Sequence, residues 1–285
     1  MGAIDTDRRR RMAVRRLLAA MALVGMGAAG PATAAARGRP VSELVLDAKS
    51  GDTLFERAIT IPRAPASLTK MMTLFLVFDA LDAGTLHAYD TITVSRHAAG
   101  QQPSRLGLRP GQKLPLKTAI RAVAVDSAND VAVALAERLA GSEPAFARLM
   151  TRKARQLGMR HTSFANATGL TNGGNRTTAW DIGVLALALL HQHRDRYALF
   201  GTRSIRWANR TLPNHNHLIG HVPGVDGIKT GYTADAGFNL AASAKRKGRR
   251  VIVVVLGEHS AAARDVRVSN LLEKGFITRP RAAAS

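Results

Sequence analysis

At 285 residues, 46% hydrophobic and 21% charged, the chain can bury a core and is too long for one minimal domain; one unit with a lobe inserted in it fits the length. It contains no cysteine, which excludes thiol catalysis, thiolate metal ligation and stabilisation by disulfides. The net charge of +21 is spread along the chain without a basic arm or a recognition-helix pattern, so it argues against nucleic acid as a partner.

Residues 1–36 have the layout of a signal peptide and cleavage region. Arg8 to Arg11, Arg15 and Arg16 form a positive segment, an apolar stretch follows from Leu17, and small residues surround Ala34. The apolar run is interrupted by glycines and falls short of the roughly 20 residues a membrane span needs. The paired arginines leave twin-arginine export open. Six arginines against Asp5 and Asp7 carry +4 of the net charge in residues 1–34, which leaves +17 on the rest. Outside the cytoplasm a balance of that sign implies peripheral contact with an anionic envelope surface, either polymer or lipid head groups.

After a short segment at 35–40, residues 41–47 read as a strand, Ser50-Gly51-Asp52 as a turn and 53–56 as the returning strand. Pro65-Ala66 then introduces Ser67-Leu68-Thr69-Lys70, which opens the apolar run Met71-Met72-Thr73-Leu74-Phe75-Leu76-Val77-Phe78. Proline upstream and a hydroxyl residue at the head mark a helix start. Three residues apart on such a helix, Ser67 and Lys70 share a face, and the amine can reach the hydroxyl. A lysine takes a serine proton only if burial or a nearby cation pulls its own pKa down. Backbone N–H groups at the helix start would face a developing oxyanion. Taken alone, the four residues are more often a capped helix with a solvated lysine, because the pattern is so common.

Gly84 suits the C-terminal cap of that helix, residues 90–94 alternate as a small strand, and 95–111 form a loop punctuated by Pro103, Gly107, Pro110 and Gly111. Helices are expected at 116–125, 130–140 and 143–157, with Ser127-Ala128-Asn129 at the first handover. By itself that tripeptide fits a helix cap. Residues 158–178 are loop by composition, and a helix follows to 191. His215, His217 and His221 are spaced for metal, yet no paired carboxylate accompanies them and the neighbouring Pro213, Asn214, Asn216 and Pro223 favour an irregular solvated loop. We therefore expect no metal and no cofactor. Strands at 225–229, 238–245 and 250–256 are joined by tight turns and must run antiparallel, and a helix closes the chain at 262–274.

Three motifs thus occur in order: Ser67-Leu68-Thr69-Lys70, Ser127-Ala128-Asn129 and Lys229-Thr230-Gly231. With their flanks Pro65-Ala66, Asp130 and Asp226-Gly227-Ile228 through Tyr232-Thr233, they resemble the low-molecular-weight penicillin-binding proteins, the serine-type D-alanyl-D-alanine carboxypeptidases, from about residue 42 to 277. The resemblance implies an α/β chain of α+β type: an antiparallel sheet packed by the first and last helices, with a helical lobe at roughly 85–200 inserted in a domain spanning 37–278 and a short tail at 279–285. It also implies that loop 95–111, which otherwise reads as surface, lies beside the cleft.

The implied chemistry is a serine acyl-enzyme. Ser67 attacks the carbonyl between the two terminal D-alanines of a peptidoglycan stem peptide while Lys70 takes its proton. Ser127 relays a proton to the leaving amine, and Asn129 orients Lys70 or the substrate amide. Lys229 keeps Lys70 neutral and draws the terminal carboxylate, to which Thr230 offers a hydroxyl. Gly231 lets substrate lie along the strand edge, and backbone N–H groups of Ser67 and Tyr232 make the oxyanion hole. β-Lactams are the implied covalent inhibitors.

The chain departs from the pattern in places. Ala128 replaces a common glycine, and no arginine stands near His259 to hold the terminal carboxylate, which leaves Arg264 as the candidate. The β-rich domain and C-terminal anchor of many relatives do not follow the last helix, which implies a soluble exported enzyme. Between 158 and 178 there is no acidic residue to activate a deacylating water, unlike class A β-lactamases. Alternatives are an endopeptidase of D-alanyl cross-links, which Asn216-His217-Leu218 also resembles, a β-lactamase of another class, and a non-catalytic wall-binding protein.

Overall fold

The computed structural model describes residues 40–278, so the signal-peptide segment and the tail at 279–285 lie outside the described residues. The centre of the molecule follows from its most β-branched run. Strand β9 (Arg249–Glu258) carries Val251, Ile252, Val253, Val254, Val255 and Leu256, all fully buried, a pattern that only a strand covered on both faces satisfies. It pairs with β1 (Ser42–Asp47) on one side and β8 (Gly237–Arg246) on the other. Strand β2 (Thr53–Arg57) completes one margin and β7 (Val225–Thr233) the other, giving an antiparallel sheet of order β2-β1-β9-β8-β7. Strand β7, which carries the third motif, is therefore an edge.

Period-two alternation splits the core into two layers. Leu44, Leu46, Ile252, Val254 and Leu256 face the helical side, and Val45, Val251, Val253, Val255 and Leu240 face the other. Helix α8 (Ala261–Ile277) packs on the second face, where a Cβ on Gly275 would come 2.7 Å from Val251 Cγ1; glycine is what allows the close approach.

The first face is covered by a helix the sequence reading did not assign to it. The helix that continues from the Ser67 turn, α1 (Thr69–Asp82), was expected there. Instead α6 (Ala179–Gln192) lies on β1 and β9, with Gly183 so close that a Cβ would meet Leu44 Cδ2 at 2.6 Å. Helix α1 passes through the helical layer, packed by α3 (Leu116–Val125), α4 (Asn129–Ala140), α5 (Glu143–Gln156) and α6. Residues 69–78 are buried without a break. A helix apolar all round belongs in the interior, since a cover for a sheet has a wet face.

The other elements are short. Strands β3 (Thr91–Thr93) and β4 (Lys113–Pro115) pair at the base of loop 95–111, which includes one turn of helix, α2 (Arg96–Ala99), capped by Ser95 Oγ. The hairpin β5 (Ser204–Trp207) and β6 (Arg210–Pro213) follows α7 (Arg194–Tyr197). Among the described residues no helix is long and apolar enough to cross a membrane.

Candidate active site

Edge strand β7, the start of α1 and the α3–α4 junction meet at a cleft of about 420 Å³, lined by Ser67, Ser127, Asn129, Thr230, Gly231 and Tyr232. Lys70 and Lys229 lie beneath it, 0% and 2% exposed. The eight residues singled out from sequence thus converge from three parts of the chain. A larger concavity of about 1550 Å³ sits at the opposite end of β7 and contains none of them.

Ser67 stands in a 3-10 turn, Ala66–Leu68, that runs directly into α1. Ala66 takes the left-handed conformation at φ 49°. A glycine presses on this turn from each of two directions. A Cβ on Gly231 would lie 2.9 Å from Ser67 N and 3.0 Å from Pro65 O; one on Gly169, itself at φ 82°, would lie 1.8 Å from Ala66 O. Gly231 was expected to leave space for substrate along the strand edge. The structure corrects this, because the space beside its Cα is filled by the nucleophile's own backbone.

The Lys70 Nζ donates to Ser67 Oγ at 2.9 Å and to the Thr168 carbonyl at 2.8 Å. Burial first, and the charge of Lys229 second, push its pKa well below the ordinary lysine value; Asp126 opposes them. The shift favours the neutral form, and an amine so directed at a hydroxyl is the arrangement a general base needs. Lys229 donates to the Thr230 carbonyl at 3.2 Å, and burial lowers its pKa to about 7 against the pull of Asp126, with Arg264 adding to the lowering.

Ser127 occupies the hinge between α3 and α4 at φ 64°, and its Oγ has no hydrogen-bond partner among the described residues. Neither it nor Asn129 caps α4, so the helix-cap reading falls. Asn129 Nδ2 donates to the carbonyls of Gln102 and Pro103 at 2.8 and 3.1 Å, which fastens loop 95–111 as the cleft wall. Tyr232 is 57% exposed and stacks on Phe238 with ring centroids 4.3 Å apart.

Several residues that shape the site carried no signal of this role in the sequence. Asp130 is fully buried and accepts the N–H groups of Leu106, Gly107 and Leu108 at 3.0 to 3.2 Å. Thr168 acts through its carbonyl, which no side-chain pattern reports. Asp126 precedes Ser127, and burial raises its carboxyl to about 6 although Arg210 and both lysines hold it down. The histidine loop is solvated at His217 and His221 as expected, yet it also lines the cleft through His215, which is half-buried, and His217. Burial and the two lysine charges lower His215 to about 4, so it is neutral. Among the described residues no cluster of histidine and carboxylate is placed to hold a metal ion.

Arg264 also reaches the cleft from α8, 4% exposed. Its Nε and Nη2 donate to Asp265 Oδ1 at 2.9 and 2.7 Å, and His217 Nδ1 meets the other carboxylate oxygen at 3.1 Å.

The family model described as D-alanyl-D-alanine carboxypeptidase matches residues 30–260. The chain belongs to that family. It is 38% identical over 252 residues to the D-alanyl-D-alanine carboxypeptidase DacF of Bacillus subtilis strain 168, a match covering 84% of this chain and 64% of that protein. The chain therefore spans less than two thirds of the length of this relative. The D-alanyl-D-alanine carboxypeptidase DacD from Francisella tularensis superposes with TM-score 0.80 at 29% identity, over 83% of this chain and 70% of that one. Penicillin-binding protein D2 from Listeria monocytogenes, solved in an ampicillin-bound form, gives 0.72 at 29% identity over 82% of this chain and 96% of that one. Both the family and its antiparallel sheet flanked by helices accord with the three motifs.

Proposed function

We propose that the chain is a serine-type D-Ala-D-Ala carboxypeptidase that removes the terminal D-alanine from peptidoglycan stem peptides and is acylated by β-lactams. The observation that carries the reading is the buried Lys70 amine 2.9 Å from Ser67 Oγ, its pKa pushed well below the ordinary lysine value by burial and by Lys229. Ser67 attacks the carbonyl of the penultimate D-alanine as its proton passes to Lys70. The oxyanion settles between the backbone N–H groups of Ser67 and Tyr232. Ser127 Oγ, without a hydrogen-bond partner among the described residues, passes a proton to the leaving amine, and Asn129 fixes the loop along which the substrate lies. The leaving residue's carboxylate is held by Thr230, Lys229 and Arg264, whose guanidinium Asp265 orients toward the cleft. Water then releases the acyl group. Residues 158–178 offer no carboxylate to speed that step on a penicillin adduct, so the adduct persists.

The reading includes export behind the segment 1–36 to a periplasmic or extracellular site, and one catalytic unit over residues 37–278 with its helical lobe at roughly 85–200. It also includes peripheral contact with an anionic envelope surface. Lys49, Arg194, Arg203 and Lys245 line the 1550 Å³ groove with no carboxylate partner among the described residues, which supports that contact.

Mass spectrometry of the protein after incubation with a penicillin, alongside release of D-alanine from a synthetic stem pentapeptide, tests the activity. A persistent adduct on Ser67 and free D-alanine are expected, both absent from Ser67→Ala. Equal behaviour of the two proteins would mean the fold serves binding alone.

A further inference from the structure

The concavity of about 1550 Å³ at the far end of β7 shares no lining residue with the catalytic cleft and is the larger of the two. Strand register shows how its floor is built. The Ala48 N–H donates to the Arg250 carbonyl at 3.0 Å, Arg250 and Lys245 are cross-strand partners on β9 and β8, and the Lys245 N–H donates to the Gly224 carbonyl at 2.9 Å. The floor is therefore a row across the ends of β1, β9, β8 and β7, at right angles to the strands. At about 4.8 Å per strand the row spans about 14 Å. Helix α7 and residues 219–224 also line it.

Cations stand toward both ends of this row. At the β1 end, His191 Nε2 donates to the Ala48 carbonyl at 2.8 Å, which joins the end of α6, three residues before Arg194, to the turn that carries Lys49. At the β7 end, Arg203 and Lys245 lie against backbone. A Cβ on Gly220 would come 2.9 Å from Arg203 Cζ, and one on Gly224 would come 2.4 Å from the Lys245 carbonyl oxygen. All four cations are exposed and have no carboxylate partner among the described residues. Between them Arg249 and Arg250 pair with Asp47 and Asp226 at 2.9 and 2.7 Å, which occupies two of the three carboxylates in the groove and leaves only Asp52.

Four uncompensated charges of one sign about one trough repel each other and focus a positive potential into it, so a bound anion relieves a cost built into the fold. Shape decides which anion. A bilayer presents its phosphates in a plane and cannot follow a concavity. None of the large exposed apolar side chains, Tyr89, Trp180, Tyr232, Val266 and Ile277, lines the groove to enter a membrane. A chain that carries its charge in the backbone can lie along the trough and meet the cations at both ends, whereas carboxylates on side groups alternate away from it. Guanidinium and ammonium donors suit the non-bridging phosphate oxygens of such a chain. Resting on the peripheral-contact reading above, we propose that the groove binds a linear phosphodiester polymer of the envelope. The polymer tethers the catalytic unit and leaves the cleft open at the other end of β7, which raises the local concentration of substrate on the same surface without touching the chemistry.

Fluorescence anisotropy with a labelled oligomer of about ten glycerol phosphate units tests the assignment. Wild type should bind it with a log affinity that falls against log salt with a slope of about −3, four contacts at about 0.7 each. Lys49→Gln, Arg194→Gln, Arg203→Gln and Lys245→Gln combined should weaken binding at least about a hundredfold at low salt and flatten the slope. A matched variant that replaces Lys117, Arg121, Arg148 and Arg152, exposed cations of the helical lobe, with glutamine should keep most of the affinity. Both variants should be acylated by penicillin at the wild-type rate, which checks that they fold. Equal losses in the two variants, or equal binding of a polyglutamate of the same length, would overturn the phosphodiester groove. So would vesicles of phosphatidylglycerol and phosphatidylcholine that bind through the four groove residues while the oligomer does not bind, a result that keeps the peripheral-contact reading. Binding of neither probe would remove both.

Discussion

Replacing Gly231 with alanine separates two explanations for a missing side chain. If glycine is there for substrate, alanine should weaken only peptide binding. The structure argues for the other use: the added Cβ would sit 2.9 Å from Ser67 N, 3.0 Å from Pro65 O and 3.1 Å from Leu68 N. All are backbone atoms, and all fall short of the roughly 3.5 Å at which non-bonded atoms rest. Relief requires the Ser67 turn and β7 to part by about half an ångström. Overpacking of this kind costs about 1–3 kcal/mol, and in a chain of this size each kcal/mol lowers the melting temperature by about 2–4 °C. Because misplacing a reacting group by 1 Å costs about a hundredfold, half that shift should slow acylation about tenfold. Gly183→Ala is the control, since its Cβ would strike Leu44 Cδ2 at 2.6 Å on the far side of the helical layer. It should melt lower as well, yet acylate at the wild-type rate per folded molecule. Stopped-flow acylation by a fluorescent penicillin and differential scanning calorimetry read both effects. A Gly231→Ala protein that melts like wild type and differs only in peptide KM would refute the close-packing argument.

Further expectations follow from the buried charges. Lys70→Arg keeps a cation but not a base, since a guanidinium does not deprotonate in proteins, so penicillin acylation should fall by at least about a thousandfold. Lys229, with a pKa near 7 in the fold against an ordinary 10.5, leaves the unfolded chain binding the extra proton between those values; wild-type stability should therefore rise with pH across that window. Lys229→Met should reduce the slope in urea titrations to what Lys70 contributes and be more stable at pH 7 by on the order of a few kcal/mol, while acylating poorly. Asp126 raises the pKa of both lysines, so Asp126→Asn should move the acid limb of the acylation pH profile down by up to about one unit; an upward move would contradict the assignment. Asp130→Ala strips three loop N–H groups of their acceptor and should lower stability by about 3 kcal/mol in denaturant titrations, with a raised peptide KM.

What was legible in the sequence was whatever chemistry or period writes into side chains. The β-branched run of β9, the alternation around it, the glycine after α1 and the handover at Ser127 each stand in the structure where the residues implied. The position of α1 was legible too, and was misread: eight consecutive apolar or small residues from Met71 leave no polar face, which marks an interior helix. Other features lie beyond any local pattern. The Thr168 carbonyl that receives Lys70 is a backbone atom 98 residues away in sequence. Asp130 looks like an acidic residue in the first turn of a helix, a place where carboxylates are common, and only the fold shows it turned onto loop 95–111. The cleft histidines reached the site because Asn216, fully enclosed, ties their loop to the Gly227 carbonyl on β7 at 2.9 Å.

The same close packing explains how an ordinary lysine becomes a base. Water would protonate Lys70, and it is excluded because the Ser67 turn is wedged between two glycines that bring β7 and the 166–170 segment against its backbone. Thr73 Oγ1 and Glu143 Oε1 secure that segment further, by bonds of 2.8 and 2.9 Å to the Ala167 carbonyl and N–H. A larger residue at either glycine would admit solvent and weaken the burial that lowers the Lys70 pKa, so that shift depends on residues that carry no charge as well as on Lys229 and Asp126. The left-handed conformations of Ala66 and Ser127 fit the same account: each costs about 1–3 kcal/mol by itself and persists only where the surroundings over-determine it. That strain holds the Ser67 and Ser127 hydroxyls in one cleft above the Lys70 amine, on the margin of a sheet whose own interior is conventional.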